Sequence, residues 1–534
     1  MAELIHELIA ARALSDGEKP ALFFRDTCVT YSQLQETVQQ VSNGLLARGV
    51  TAGERVAVYL PKQIETVASL FGASCAGASF VPINPLLKPP QVSYILEHCQ
   101  ARVLVTSLQR LQALAKEVDH WQSLHTIIII DDAVSDRAVE SMRSAPAIQL
   151  GTWQELLSAP PHLPHRRIDH DMVAILYTSG STGKPKGVVL SHRNMVAGAR
   201  SVTQYLENTS EDRILAVLPL SFDAGLSQLT TTFCAGAAAV LMDYLLPRDV
   251  LRALVQYRIT GLAAVPTLWN QLVHLQWPAQ IAGSLRYVTN TGGAMPVTTT
   301  RALQSQLPDT SIFLMYGLTE AFRSTYLPPD QVSKRPRSIG KAIPNAEVLV
   351  VNESGGLCGP DEPGELVHRG ALVALGYWND PDNTAQRFRP CPWQDSNLPV
   401  AELAVWSGDQ VVRDKEGYLY FVSRKDDMIK TSGYRVSPTE IEEIAYSSGL
   451  VESAAVMGLP HAELGQSILL IVAFSGDAGN GGNAALRERL ANHCRRELPG
   501  FMQPSDIVVR ENMPHNQNGK IDRRALAGEY LEGH

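Results

Sequence analysis

The sequence predicts an α/β protein: a large N-terminal body of layered αβ sheets with a small barrel-like β unit, then a small α+β module. Three observations carry this prediction. Short β-branched runs alternate with longer segments whose apolar residues recur at helical spacing, the pattern of parallel sheet covered by helices. Over 339–420 that alternation yields to strands punctuated by Gly and Pro, which suggests antiparallel or barrel-like structure. After Arg424 the texture changes again, to a compact strand–helix mixture with a Gly/Asn-rich stretch at 475–483.

The elements follow in order. Leu4, Ile5, Leu8, Ile9 and Ala11 form one face of a short surface helix. Glu3, His6 and Glu7 interrupt that stretch, so it lacks the basic start and unbroken apolar run of a secretory signal. Residues 55–60 read as a buried strand, 63–76 as a helix and 79–84 as a second strand, with further strands at 102–106 and 124–130. The middle repeats the theme at 214–218, 237–242, 261–265 and 285–288. The longest apolar runs, such as 126–130, are strand-length, far below the roughly 20 residues that span a bilayer.

Composition narrows the function classes. The chain has 534 residues, of which 45% are hydrophobic, ample for large buried cores and incompatible with wholesale disorder. Lys and Arg number 46 against 54 Asp and Glu, a net charge of −8 without the basic excess of a generic nucleic-acid binder. The 7 cysteines are scattered and form no C-x-x-C pair, so neither a disulfide framework nor a zinc ribbon is indicated. The expectation is a cytoplasmic protein, monomer or homodimer, engaging neither membrane nor nucleic acid.

The strongest local signal is Tyr177-Thr-Ser-Gly-Ser-Thr-Gly-Lys-Pro-Lys-Gly187, between two strand-like runs. Gly180, Gly183 and Gly187 let backbone N–H groups turn inward without Cβ clashes. Thr178, Ser179, Ser181 and Thr182 supply hydroxyl donors, and Lys184 and Lys186 supply positive charge. Together they concentrate what a polyphosphate needs. A solvated hairpin is the alternative for any Gly/Ser/Thr/Lys loop. The string does not fit the Walker A register G-x-x-x-x-G-K-[ST].

This string resembles the phosphate-binding loop of the adenylate-forming superfamily, which includes acyl-CoA synthetases, amino-acid adenylation enzymes and luciferase. Further motifs appear in order: Val29-Thr-Tyr-Ser-Gln-Leu34, Phe80-Val-Pro-Ile-Asn-Pro85, Asn290-Thr-Gly-Gly-Ala-Met295, Met315-Tyr-Gly-Leu-Thr-Glu320, Trp406-Ser-Gly-Asp409, the stretch 423–435 and Asn516-Gln-Asn-Gly-Lys-Ile-Asp522. Within the superfamily the chain is most similar to the exosortase A system-associated AMP-forming acyl-CoA ligases. The resemblance implies a 1–423 domain holding ATP and acid, and a mobile 424–534 domain hinged near Asp426. It implies an ATP-dependent acid:thiol ligase using Mg²⁺, with coenzyme A or phosphopantetheine as the thiol. A stand-alone amino-acid adenylation enzyme loading an acyl or peptidyl carrier protein is the alternative.

Roles for residues follow from the same resemblance. Thr178, Ser179, Thr182 and Lys186 are the main donors to the β/γ-phosphates, with Gly180, Ser181, Gly183 and Lys184 completing the loop. Glu320 ligates Mg²⁺ and Thr319 bonds the α-phosphate. Gly292, Gly293 and Ala294 line the adenine, Tyr316 beside Gly317 stacks on it, Asp409 takes the ribose, and Arg424 contacts the ribose or a phosphate. Lys520 bridges carboxylate and α-phosphate, stabilising charge that grows in the transition state. Rotation at Asp426 then exchanges Lys520 for Lys430 and Gly433, which line a tunnel for the thiol.

The acid pocket is carried over by position. Ser221-Phe222-Asp223 stands where many acyl-CoA synthetases carry a His-rich motif, and Asp223 is a candidate partner for a substrate ammonium. A capping aspartate is the plainer alternative. Phe222, Ser227, Trp269, Thr291 and Met315 are wall candidates, as are Ala224 and Ser324. Arg323 either meets a second carboxylate or lies on the surface. An unrelated NTPase or phosphotransferase needs a Walker or kinase set that is missing. A non-catalytic nucleotide- or acyl-binding protein is expected to lack Lys520, Glu320 or Asp409, and all three are present.

Overall fold

The computed structural model describes residues 2–131, 148–178, 185–395, 397–424, 427–431, 434–461, 464–476, 482–517 and 519–531. Its strands form three sheets, with 14, 8 and 5 strands. In the 8-stranded sheet, Gln149–Thr152, Thr126–Ile129, Ala101–Thr106, Arg55–Tyr59, Ser79–Pro82 and Met172–Thr178 run parallel. Lys186–Ser191 and Gly376–Tyr377 are added antiparallel at one edge. The largest sheet has a parallel centre of Pro20–Phe24, Ala238–Leu241, Arg213–Ala216, Gly261–Ala264, Tyr287–Asn290 and Ser311–Tyr316. Thr325–Leu327 turns the pairing antiparallel, and the strands of the 339–420 region, among them Leu403–Arg413 and Leu419–Arg424, continue it. These Gly- and Pro-rich strands form the antiparallel end of the great sheet.

Burial explains the layering. Helices Ile64–Ala76 and Asp223–Ala235 are buried almost throughout. Each ends at a left-handed glycine, Gly77 at φ 84° and Gly236 at φ 75°, a backbone that other residues rarely adopt. One core joins these helices to the inner faces of both parallel sheets, through Val56, Val58 and Val103 on one side and Leu22, Ile214 and Ala239 on the other. Separate cores cover the outer faces, under helices Pro247–Gln256 and Pro266–Leu272 on one sheet and Pro89–His98 on the other. The third sheet, built from Ile429–Thr431, Tyr434–Val436, Val451–His461, Gly465–Phe474 and Asp506–Arg510, has cores of its own around Ile441, Leu470 and Leu490, and around Leu469 and Leu526. The chain thus has a large N-terminal α/β domain and a smaller C-terminal one.

The expected elements appear with small shifts. The first helix runs Glu7–Asp16, so Leu4 and Ile5 precede it, and Ile5, Leu8 and Ile9 are buried in the large core. The 285–288 run becomes a strand two residues later, Tyr287–Asn290. Among the described residues, no helix is long and apolar enough to cross a membrane.

Candidate active site

Parallel sheets place ligands beyond the carboxyl ends of their strands, and the sequence motifs gather there. Thr178 ends Met172–Thr178, Thr291 and Gly292 follow Tyr287–Asn290, and Tyr316 ends Ser311–Tyr316. Asp223 begins the helix that follows Arg213–Ala216. Of the predicted residues, Ser179, Gly180, Ser181, Thr182, Gly183, Lys184, Asp426, Gly433 and the side chain of Lys430 lie outside the described residues.

On the phosphate-loop side, Thr178 pairs with Lys186 across the two flanking strands. Lys186 Nζ donates to Asn383 Oδ1 at 2.6 Å and stands 5.3 Å from the centre of the Tyr377 ring. The Tyr377 hydroxyl donates to Glu320 Oε1 at 2.5 Å, and Arg387 Nε lies 4.0 Å from the same oxygen. Burial and the Glu320 charge push the Tyr377 phenol up, so it stays a donor. Thr319 and Glu320 form a single buried turn.

Toward the Trp406–Asp409 motif, the Tyr316 hydroxyl donates to Asp409 Oδ2, and Arg424 Nε approaches Oδ1 at 3.5 Å. Burial raises the Asp409 carboxyl and Arg424 opposes the shift; burial and Asp409 hold the Tyr316 phenol well above its usual range. Gly408, at φ 70°, leaves room for Arg387, whose Nη1 would lie 2.8 Å from a Cβ there.

The third cluster surrounds Lys520. Its Nζ lies 5.3 Å from the centre of the Phe222 ring, and its chain rests on Gly292, where an added Cβ would come within 3.0 Å of Lys520 Cε. Gly293 instead faces Pro266. Burial lowers the Lys520 ammonium, against the pull of Asp223. Asp223 is 3% exposed, its Oδ1 has no hydrogen-bond partner among the described residues, and burial raises its carboxyl while Arg323 and Lys520 oppose the rise. Arg323 is 5% exposed rather than on the surface, and donates from Nη1 to Thr291 Oγ1 at 3.0 Å. Trp269 is 0% exposed, its indole N–H shared between the carbonyls of Ala264 and Thr289, so it backs the strand ends from within the core. Ser227, Ala224 and Met315 are buried, and the Ser324 hydroxyl pairs with His368 Nδ1 at 3.0 Å.

Lys520 reaches this point because the turn carrying it is held against the larger domain. Asn84 Nδ2 donates to the carbonyl of Gln517 at 2.8 Å and Thr267 Oγ1 to that of Gly519 at 2.8 Å. Further out, Asn270 Nδ2 donates to the carbonyl of Glu452 at 3.2 Å.

Tyr377, Arg387 and Asn383 were not among the predicted residues, and no spacing in the sequence marks them. Lys62 is another such residue. Its buried ammonium donates to the carbonyls of Val217 (2.7 Å) and Leu218 (3.2 Å), fixing the backbone that leads into Phe222 and Asp223, and pairs with Asp243 at 3.2 Å.

Comparison with known proteins agrees with this arrangement. The AMP-binding enzyme family matches residues 9–378, and the AMP-binding enzyme C-terminal domain matches residues 440–520. A long-chain-fatty-acid–CoA ligase of Salmonella typhimurium is 28% identical, with 98% of this chain aligned to 94% of that protein. An L-proline–[L-prolyl-carrier protein] ligase of Streptomyces coelicolor is 31% identical over 95% of this chain and 93% of its own length. A linear gramicidin synthase polypeptide of Brevibacillus parabrevis is 28% identical over 98% of this chain, which spans only 6% of that much longer protein. The crystal structure of the anthranilate CoA ligase AuaEII with anthranoyl-AMP superposes with a TM-score of 0.86 at 26% identity, covering 99% of this chain and 98% of that one. The ordered motifs, the two-domain fold and these matches together mean that the chain belongs to the AMP-binding enzyme family.

Proposed function

We propose that the protein is an ATP-dependent, AMP-forming acid:thiol ligase whose site residues act in two half-reactions. The observation that carries this is Lys520, whose buried Nζ lies 5.3 Å from the Phe222 ring, where the charges of Asp223, Asp409 and Glu320 all act on it. In the first half-reaction a substrate carboxylate oxygen attacks the α-phosphorus, the bond to the bridging oxygen breaks, and pyrophosphate leaves. Two anions must meet, so catalysis is mostly positioning and charge neutralisation. Lys520 draws the carboxylate and α-phosphate together. Thr178, Lys186 and the intervening loop hold the outer phosphates, Thr319 the α-phosphate, and Asp409 and Arg424 the ribose.

Mg²⁺ fits this donor set, because among the described residues Tyr377 and Arg387 both meet Glu320 at Oε1, leaving Oε2 for an oxygen-seeking ion. Bound there, the ion offsets phosphate charge. In the second half-reaction the 424–534 domain turns near Asp426, withdrawing Lys520 and presenting Lys430 and Gly433. The thiol sulfur then attacks the acyl carbon, its proton passes to solvent, the acyl–phosphate bond breaks, and AMP leaves with the thioester formed.

Coenzyme A is the first thiol considered, as in the Salmonella and anthranilate ligases. A carrier protein is the second, favoured by the unpartnered Asp223 Oδ1, which suits a substrate ammonium, and by the prolyl-carrier relative. ATP–pyrophosphate exchange, screened over amino, fatty and aryl acids, tests the proposal. Exchange with at least one acid is expected; none with any acid, in protein with an intact melting transition, refutes it.

A further inference from the structure

Arg323 is unusual for the wall of an acyl pocket. Its guanidinium is buried, and its one hydrogen bond among the described residues goes to a neutral hydroxyl, Thr291 Oγ1. Its Nε is buried with no partner among the described residues. Asp223, whose carboxyl feels the Arg323 charge, forms no ion pair with it among the described residues, and its Oδ1 is unpartnered there as well. Two opposite charges serving only to neutralise each other would close to contact, because each is costly to bury alone. Here they stand apart, with Thr291 beside Arg323 and Lys520 resting on the next residue, Gly292.

The backbone is built to aim this side chain. Phe322 adopts φ 54°, ψ −46°, a region bulky residues avoid, and the Arg323 N–H closes a tight turn onto the Ala321 carbonyl at 2.5 Å. Such a conformation persists only where its surroundings over-determine it. The Phe322 ring is fully buried, against Gly198, where an added Cβ would come within 2.6 Å of it. A Cβ on Gly317 would come within 3.3 Å of the Arg323 Cα, and His368 holds the neighbouring Ser324 hydroxyl. The strained turn faces Arg323 inward from both sides.

We propose that Arg323 is a specificity-determining residue that binds a second carboxylate on the substrate, so that the acid activated is an α-amino dicarboxylic acid. This rests on the ligase reading above and names its substrate class. The reacting carboxylate lies at Lys520, the adjacent ammonium at Asp223, and the distal carboxylate at the Arg323 fork, which suits a planar carboxylate. A fatty or unsubstituted aryl acid leaves both buried ions without partners. A neutral amide isostere supplies the acceptor but not the charge.

The test is ATP–pyrophosphate exchange with aspartate, glutamate and 2-aminoadipate, each against its amide, alongside fatty, aryl and neutral amino acids. Wild-type protein, R323Q and R323K are compared, with the ATP-induced shift in melting temperature reporting an intact nucleotide site. The expected result is a kcat/KM for one diacid about 100-fold above that of its amide. That preference collapses to within about tenfold in R323Q, which retains exchange with the amide, and is partly restored in R323K. Wild-type preference for neutral acids overturns the inference alone. So does an equal loss on acid and amide in R323Q. Absence of exchange with every acid overturns the ligase reading and the inference with it.

Discussion

Gly292 offers a way to displace Lys520 without removing it. At φ 81° the backbone lies in the left-handed region, where alanine costs about 1–2 kcal/mol. The new Cβ would meet Lys520 Cε at 3.0 Å and Val265 Cγ1 at 3.3 Å. Carbon atoms prefer about 3.5–4.0 Å, so the lysine chain must retreat by roughly half to one ångström. Misplacing a reacting group by about 1 Å can cost about 100-fold in rate. Gly292→Ala is therefore expected to slow adenylate formation between 10- and 100-fold, roughly 1.4 to 2.8 kcal/mol of barrier. Thioester formation from supplied acyl-adenylate should change little, because the proposed domain turn withdraws Lys520 before that step. Lys520→Ala should show the same split more severely. The assays are ATP–pyrophosphate exchange and thioester release from synthetic adenylate. Exchange within about threefold of wild type, or equal loss in both half-reactions, would refute the placement of Lys520 against Gly292 as catalytically relevant.

Asp223→Asn is expected to raise KM for amine-bearing acids at least about tenfold while sparing acids without an amine; an unchanged ratio removes the ammonium role. In wild-type protein Asp223 must be ionised to meet an ammonium. Its raised pKa therefore means that amine affinity climbs as pH rises through that value and weakens below it, which initial rates across pH will show. Glu320→Gln should raise the Mg²⁺ concentration for half-maximal exchange by about tenfold, and an unaltered Mg²⁺ titration would count against Glu320 as a ligand. His368 is held neutral by burial, its pKa lowered from 6.5 to about 4, so the unfolded chain takes the proton first. Stability should fall as pH drops from about 6.5 to 4, by up to about 3 kcal/mol from this residue. Urea midpoints across that range should decline less steeply in His368→Asn than in wild type; identical slopes would contradict the assignment.

Much of the scaffold was legible because each signal was local. Parallel strands announced themselves as β-branched runs, and the Gly/Ser/Thr/Lys loop sits beside one of them. What stayed hidden depended on residues far apart in the chain. The sequence suggests that Gly292 makes room for a base, whereas its open face meets Lys520 from the other domain. Nothing in the spacing connects Tyr377 with Glu320, or Lys62 with the backbone before Phe222. Arg323 could be named but not placed, since its inward aim depends on a strained backbone at a phenylalanine, a residue type that gives no hint of positive φ.

Three of the bonds that seat the C-terminal domain share a direction, whereas Val297 N–H meets a side chain there, Glu443 Oε1. Asn84, Thr267 and Asn270 of the larger domain all donate to main-chain carbonyls, of Gln517, Gly519 and Glu452. A carbonyl is present whatever side chain its residue bears, so this clasp recognises the path of the polypeptide and not its spelling. Sequence drift in the C-terminal domain leaves these three bonds intact, while a change at Asn84 or Thr267 loosens them and a change at Glu443 removes the bond from Val297. At about 1 kcal/mol for each neutral bond, the three are also weak enough to allow the domain turn proposed above.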